Sequence, residues 1–425
     1  MFKSLRERIR FATYSVVHRR SLAAQTKWQS KQFARLIAHA YANVPLWRIF
    51  LEERHLDPRT IHLGDIGKLP ITGKKTYLGR AIDEYTDNSK RLSSHWYKTS
   101  GSSGTPFTFL LSDQVLDQKY VDFGSLKFLW WRGIAPLRFA AVKMVRIRLR
   151  ARQAPHSFFI AVEDYLRSPR NVIAKICEFR PMIVATYPSI LSDMARLVSS
   201  DTTILWKTPP FLLSLGETLL PSVRAQISNA LTSEIYDHYG LEEVGAVGVE
   251  CVAHDGLHIN TESLFVEIVD DAGEPVPDGT VGRVIVTDLF NYNMPFIRYD
   301  SEDSGRITLE TCRCGLSSPR LWVTGRYSAT LTFSGKSFHH LEFDGAMDGF
   351  MNEISQYQIA KLSEEEMVAR VVPGPAFKNG VDVRLKENLS TLVGPGVGIR
   401  IERVERVELS EKGKCQIVRD ESGTQ

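Results

Sequence analysis

Residues 98 to 105 read KTSGSSGT and run straight into Pro106. Three serines, two threonines and two glycines in eight residues are a dense set of small hydrogen-bonding groups. Glycines let a backbone come close to a ligand, and hydroxyls with free N–H groups supply donors, so such a loop can wrap an anion. The same composition also suits a flexible linker. The flanks favour the first reading: SSHWY before and FTFLLS after are aromatic, β-prone runs that read as strands, so the segment is held between two pieces of core.

A second set of residues has metal-ligand character. ECVAHDGLHI places Cys251 before His258 with six residues between them, and TCRCG supplies Cys312 and Cys314. Three thiolates and one imidazole make a closed tetrahedral Zn²⁺ site of the structural type. His254 is an alternative fourth ligand. Buried free thiols and redox chemistry stay open for the same residues, and Cys177 and Cys415 stand apart from the set.

Five further segments follow the Gly/Ser stretch in order. LSLGETLLP puts Gly216 and Glu217 at the end of an apolar strand, and YDHYGLEEVG carries Tyr239, Gly240 and the acids Glu242 and Glu243. NMPFIRYDSEDSG carries Arg298, Tyr299 and Asp303, TGRYS carries Arg326, and the terminal SEKGKCQIV carries Lys414. Singly, each has a bland structural reading. In this order the chain resembles the adenylate-forming superfamily, and within it the phenylacetate–coenzyme A ligase family with its CapK-like capsule-biosynthesis branch. The resemblance runs from about Leu36 to about Asp420.

That resemblance implies an ATP-dependent, AMP-forming carboxylate-activating enzyme. Thr99, Ser100, Gly101, Ser102, Ser103, Gly104 and Thr105 match the family's phosphate loop, which holds the β- and γ-phosphates of ATP. Tyr239 and Gly240 match the pair whose aromatic ring stacks on adenine, and Gly216 and Glu217 match a turn beside it. Glu243 matches the acid for Mg²⁺, with Glu242 as the alternative, and a hard carboxylate suits that ion. Asp303 matches the ribose-binding aspartate and Arg326 the arginine that contacts ribose or phosphate. Lys414 matches the catalytic lysine, which stabilises charge at the α-phosphate as pyrophosphate leaves. The acyl group then passes to coenzyme A or to an amine or hydroxyl acceptor, a sugar among them if the CapK-like branch applies. The family's small C-terminal domain rotates between the two half-reactions. Ser328 and Ala329 stand where many members carry an acidic pair after the "GR", and Thr105 stands where a lysine is common. Similar Cys/His sets occur in the family. The rival reading is a non-catalytic, zinc-stabilised nucleotide- or polymer-binding protein of a polysaccharide assembly.

The elements that must position these residues follow from composition and periodicity. A chain of 425 residues is too long for one core, which points to two or three domains. Residues 1–325 are expected as a large N-terminal domain with a β-subdomain over about 250–325, and 326–425 as a small C-terminal domain. The fold class is α/β, because apolar strands and helices alternate from about residue 107 to 215. In that region LDQKYVDFGSLKFLWWRG, SPRNVIAKICEFRP and SILSDMARLVSS read as helices, and PLRFAAVKMV and MIVATYP as strands. Residues 21 to 56 read as helix, with FARLIAHAYANVP ending at Pro45. By position in the family it resembles, the segments around Tyr187 and from Leu212 to Leu215 are expected to line the acyl pocket, though aromatics near strand ends also serve as core.

A net charge of +4 does not suggest a nucleic-acid binder. No run of about 18 apolar residues occurs, the N-terminus lacks the pattern of an export signal, and the cytoplasm is the expected compartment. The first twenty residues form a basic amphipathic pattern, and Arg146, Arg148, Arg150 and Arg152 alternate along one strand. A surface helix and a charged strand edge are the plain readings; an anionic membrane or glycan partner is the alternative for each.

Overall fold

The structure is a computed structural model and describes residues 20–89, 94–98, 108–112, 139–143, 157–204, 206, 209, 211–326, 330–350, 353–374, 376–408 and 416–423. Thr99 to Thr105, Ser328, Ala329 and Lys414 lie outside these residues, as do the N-terminal amphipathic pattern, the helix expected over 116–133 and the basic strand over 146–152. The chain forms two compact units, each assembled from two stretches of sequence. One takes 1–136 with 238–323, the other 137–237 with 324–425.

The first described helix of the first unit is Leu22–Asn43, whose Phe33, Leu36, Ile37 and Ala40 form a buried stripe at helical spacing. The helical run expected over 21–56 is broken at Val44, which is extended, and a second helix, Pro45–Glu53, starts on the proline. Proline's ring disfavours the α conformation in the residue before it, yet fits the first turn of the helix that follows. Strands β1 (Ser94–Lys98) and β2 (Thr108–Ser112) pair antiparallel, with Lys98 opposite Thr108. The two ends of the Gly/Ser stretch are therefore neighbours in one ladder, which a linker joining separate domains would not need.

The middle of the chain opens the second unit. Strands β3 (Phe139–Lys143), β4 (Ser157–Ala161), β5 (Ile183–Thr186) and β6 (Phe211–Leu215) form a parallel sheet in the order β6-β5-β3-β4. β5 is buried at every position, the pattern of a strand covered on both faces. The covering helices Pro169–Phe179, Pro188–Ser200 and Pro221–Leu231 each start on a proline. Ile173, Ile176, Leu191, Met194, Leu212, Ile227 and Leu231 are among the side chains that fill the space between.

Strand β7 (Glu234–Leu241) crosses from the second unit to the first. It is followed by β8 (Gly245–Glu250), β9 (Leu257–Ile259), β10 (Leu264–Val269), β11 (Gly282–Asp288), β12 (Tyr299–Thr308) and β13 (Arg320–Arg326). Their order is β10-β11-β12-β13-β9-β8-β7, and the registered pairs are antiparallel. The core of this region joins Phe109 and Leu111 to Val247, Ile259, Val286, Phe296 and Leu321.

The second unit closes with a hairpin and a mixed sheet. β14 (Thr330–Phe333) and β15 (Lys336–His339) turn through Ser334 and Gly335, both at positive φ, as a two-residue hairpin of the right twist requires. β16 (Ile354–Ser363), β17 (Glu366–Pro373), β18 (Gly398–Arg403) and β19 (Val418–Asp420) form a sheet in the order β18-β17-β16-β19. Helix Val381–Val393 covers it with Leu385 and Leu389. No helix among the described residues is long and apolar enough to cross a membrane.

Candidate active site and metal centre

In the first unit, Tyr239 and Glu243 come from β7 and the turn after it, and Tyr299 and Asp303 come from β12. The β7–β8 ladder slips between Tyr239 and Gly240. A Cβ on Gly240 would lie 2.7 Å from the Gly245 carbonyl oxygen, so this position has no room for a side chain. β12 is irregular too. Arg283 pairs with Ser304 and Ile285 with Asp300, so Ser301, Glu302 and Asp303 stand opposite Val284 alone. Glu302 has φ +62°, and Ser301 Oγ donates to the Val284 carbonyl at 2.8 Å while accepting from the Asp303 N–H. A bulge of this kind re-aims side chains, and here it turns Asp303 toward β7.

Two tyrosine–carboxylate bonds result, and they run in opposite directions. Tyr239 Oη on β7 donates to Asp303 Oδ2 at 2.6 Å, and Tyr299 Oη on β12 donates to Glu243 Oε1 at 2.8 Å. Both acids are buried, as is Tyr299 at 1% exposure. Burial, and next to it the charge of Glu243, holds the Tyr299 phenol far above the usual tyrosine range. It therefore stays protonated and acts as a donor. Glu242 is half-buried beside the pair. Arg298, in the same segment, is an architectural residue. Its guanidinium donates to the carbonyls of Gly67, Leu69 and Gly273 at 2.9–3.0 Å and lies 3.2 Å from Glu267.

Gly216, Glu217 and Arg326 belong to the second unit. Gly216 follows β6 with φ +76°, a conformation glycine adopts without strain. The Glu217 carboxylate accepts from Ser189 N and Ser189 Oγ, each at 3.0 Å, and so caps the first turn of helix Pro188–Ser200. Helix N-termini present unpaired N–H groups and favour negative charge. Ser189 was not legible as a partner from sequence, and neither was Asp237, which accepts from Ser214 Oγ at 2.8 Å. Arg326 ends β13 half-buried. Gly325 before it has φ +120° and a Cβ there would collide with the His340 ring. Tyr187 and Leu212, expected near the acyl pocket, are buried members of the core beside helix Pro188–Ser200.

The segment that carries Lys414 is described only at its edges. Gln358, fully buried, donates through Nε2 to the carbonyls of Glu408 at 3.2 Å and Gln416 at 3.0 Å. Arg370 bonds Gln358 Oε1 and grips Glu421 with two nitrogens, at 3.0 and 2.9 Å.

The ligating atoms of Cys251, His258, Cys312 and Cys314 all lie within 4.8 Å of one another. Cys251 Sγ is 3.7 Å from Cys312 Sγ, and Cys314 Sγ is 3.4 Å from His258 Nε2. Tetrahedral Zn²⁺ with Zn–S bonds of about 2.3 Å sets sulfur–sulfur separations of about 3.8 Å, so the donor set fits that ion. His258 Nδ1 lies 2.8 Å from Ser318 Oγ, which leaves Nε2 for the thiols, the usual outer support of a ligating imidazole. His254 is not part of the group; its Nδ1 meets Glu250 at 3.1 Å. Burial raises the Cys251 and Cys314 thiols.

No family model matches the chain. It is 26% identical over 362 residues to the phenylacetate–coenzyme A ligase of Thermus thermophilus, covering 79% of this chain and 78% of that one. It is 24% identical over 440 residues to the phenylacetate–coenzyme A ligase of Aromatoleum evansii, with 94% and 95% covered. Among solved structures it superposes on 2-hydroxyisobutyryl-CoA ligase in the postadenylation state, in complex with R3-HIB-AMP. The TM-score is 0.78 at 19% identity, with 95% of this chain and 91% of that one covered. The same ligase also matches in an open conformation with 2-HIB-AMP and CoA, at TM-score 0.64 and 19% identity over 94% and 93% of the chains. The chain is thus similar in sequence to phenylacetate–coenzyme A ligases along most of its length and has the fold of the adenylate-forming ligases.

Proposed function

We propose that the chain is an AMP-forming ligase that activates a carboxylic acid as its adenylate and passes the acyl group to coenzyme A. The observation that carries the reading is the opposed pair of bonds, Tyr239 to Asp303 and Tyr299 to Glu243. They hold the two acids the chemistry needs beside the aromatic residue that would carry adenine. The ligase names of the relatives support it, and they do not favour a non-catalytic binding role.

In this reading the carboxylate oxygen of the substrate attacks the α-phosphorus of ATP, and the bond to pyrophosphate breaks. The Tyr239 ring holds adenine and the Asp303 carboxylate accepts from the ribose hydroxyls. Thr99 to Thr105 hold the β- and γ-phosphates, Arg326 contacts ribose or phosphate, and Lys414 places its ammonium at the α-phosphate. Gly216 and Glu217 shape the turn near adenine, with Glu217 also ordering the helix that Ser189 begins. Mg²⁺, when held by Glu243, neutralises phosphate charge. A thiolate then attacks the acyl carbon and AMP leaves.

The finer assignments belong to the same proposal. Residues 1–325 act as the large domain and 326–425 as the small one that moves between steps. The protein works in the cytoplasm, in the CapK-like branch and in surface-polysaccharide synthesis, where an amine or hydroxyl on a sugar is the other acceptor. Cys251, His258, Cys312 and Cys314 hold one structural Zn²⁺.

The test is pyrophosphate release from ATP and Mg²⁺ across a panel of aryl, fatty, hydroxy and amino acids, with hydroxylamine to trap the adenylate. Release with one class of acid, lost in Lys414→Ala, is the expected result. Silence across the panel while ATP still binds would sink the reading.

A further inference from the structure

Tyr299 touches no substrate group in the mechanism above beyond its bond to Glu243, yet its hydroxyl is the least expected atom in its surroundings. The ring sits edge-on to Phe296, 5.1 Å between centroids, in a cluster with Phe109, Met294 and Leu321. Phenylalanine would fill that space without a polar atom to desolvate, so a buried phenol there calls for a bond in return. The bond is made to Glu243 Oε1, from a strand other than the one that leads into Glu243. The last torsion of a glutamate is broad and roughly two-fold, so packing alone leaves the carboxylate plane loosely set. A donor 2.8 Å away on β12, itself locked in the core, fixes that plane.

We propose that Tyr299 is a positioning residue for Glu243, its hydroxyl orienting the carboxylate that binds the divalent cation accompanying ATP. This rests on Glu243 being the cation ligand. Partners that orient a metal-binding carboxylate commonly change metal affinity or activity by about 10–100-fold when removed. Tyr299→Phe keeps the ring and its stacking and deletes only the donor.

The experiment titrates Mn²⁺, a paramagnetic stand-in for Mg²⁺, into the protein with ATP but no acid, and reads bound Mn²⁺ by electron paramagnetic resonance. Tyr299→Phe should weaken Mn²⁺ about tenfold or more. It should leave metal-free ATP binding unchanged, and high Mg²⁺ should restore its pyrophosphate release. Glu243→Gln should weaken Mn²⁺ as well, and adding Tyr299→Phe to it should cost no more, as expected for one shared interaction. Mn²⁺ affinity within twofold of the parent in Tyr299→Phe, with Glu243→Gln impaired, would overturn this inference alone. Unchanged Mn²⁺ affinity in Glu243→Gln would instead overturn Glu243 as the ligand, and the inference with it. Loss of the melting transition in Tyr299→Phe also counts against it, because a hydroxyl whose removal unfolds the chain is structural.

Discussion

Tyr239 Oη lies 2.6 Å from Asp303 Oδ2; under the proposed function, one side chain would offer a ring to adenine and order the carboxylate that meets the ribose. The two functions separate by mutation. Tyr239→Phe keeps the ring and removes a hydrogen bond to a charged acceptor, a loss of about 1.5–3 kcal/mol. The ATP KM should rise roughly tenfold or more with little change in kcat, and Tyr239→Ala should raise it further. A calorimetric ATP titration checks this; unchanged affinity in Tyr239→Phe would remove Asp303 from the ribose.

Gly240→Ala tests the slip in the β7–β8 ladder. The added Cβ meets the Gly245 carbonyl at 2.7 Å and His238 Cε1 at 3.0 Å, and backbone cannot move aside cheaply. Overpacking of this kind costs about 1–3 kcal/mol, which thermal melting would show as a lowered Tm. Gly64→Ala is the control. Nothing lies within 4 Å of its added Cβ, and its Tm should stay level or rise.

Metal content tests the Cys/His group. The purified protein should carry one Zn²⁺ per chain by mass spectrometry. Cys251→Ser and His258→Ala should lose it and melt earlier, as should chelated parent protein. Ser318→Ala should weaken the metal about 10–100-fold by freeing the imidazole. His254→Ala should keep full metal, since that ring faces Glu250. Metal-free protein with an unchanged Tm would assign the thiols to the core.

Acid should loosen β19 before the sheet it joins. The Arg370 guanidinium holds the Glu421 carboxyl below its ordinary value of 4.5, so the fold favours the ionised form. Stability from this pair is therefore present above that value and lost as pH falls through the lower folded one. Exchange at the Val418–Asp420 amides, with its intrinsic pH dependence divided out, should become faster in the parent as pH falls below that ordinary value. In Arg370→Met it should already be fast at pH 6, with the acid step gone. A step of equal size in both proteins would contradict the assignment.

Much of this was legible in the sequence where the signal is local. The strands flanking the Gly/Ser stretch read from their aromatic and β-branched residues. The helix Pro188–Ser200 read from its period, and Cys251, Cys312 and Cys314 from the concentration of three of the five cysteines in one β-rich stretch. What failed to show depends on pairing across the chain. The alternation in RYDSEDSG hides the bulge that aims Asp303, because a bulge is defined by its partner strand and not by its own residues. The helix-capping bond of Glu217 did not show, because nothing near it in sequence announces Ser189 as its donor. His254 and His258 are equivalent by spacing; the tight turn at His254, φ +48°, separates them. Val44 was misread as helical because the effect of Pro45 falls on the residue before it.

The helices Leu22–Asn43 and Pro45–Glu53 wait long for their neighbours. Gln29 bonds the Leu264 carbonyl 235 positions later, and Trp47 the Pro295 carbonyl 248 positions later. Phe33, Leu36 and Ile37 likewise share a cluster with Leu289 and Ile297. At about 5–20 residues per second, a ribosome needs roughly 10–50 s to deliver those partners. The cluster around the parallel sheet draws all its members from Val142 to Ile235 and can close while synthesis continues. On this separation the middle of the chain is expected to condense before the apolar stripe of Leu22–Asn43 is covered, which leaves that stripe to be shielded from aggregation during translation.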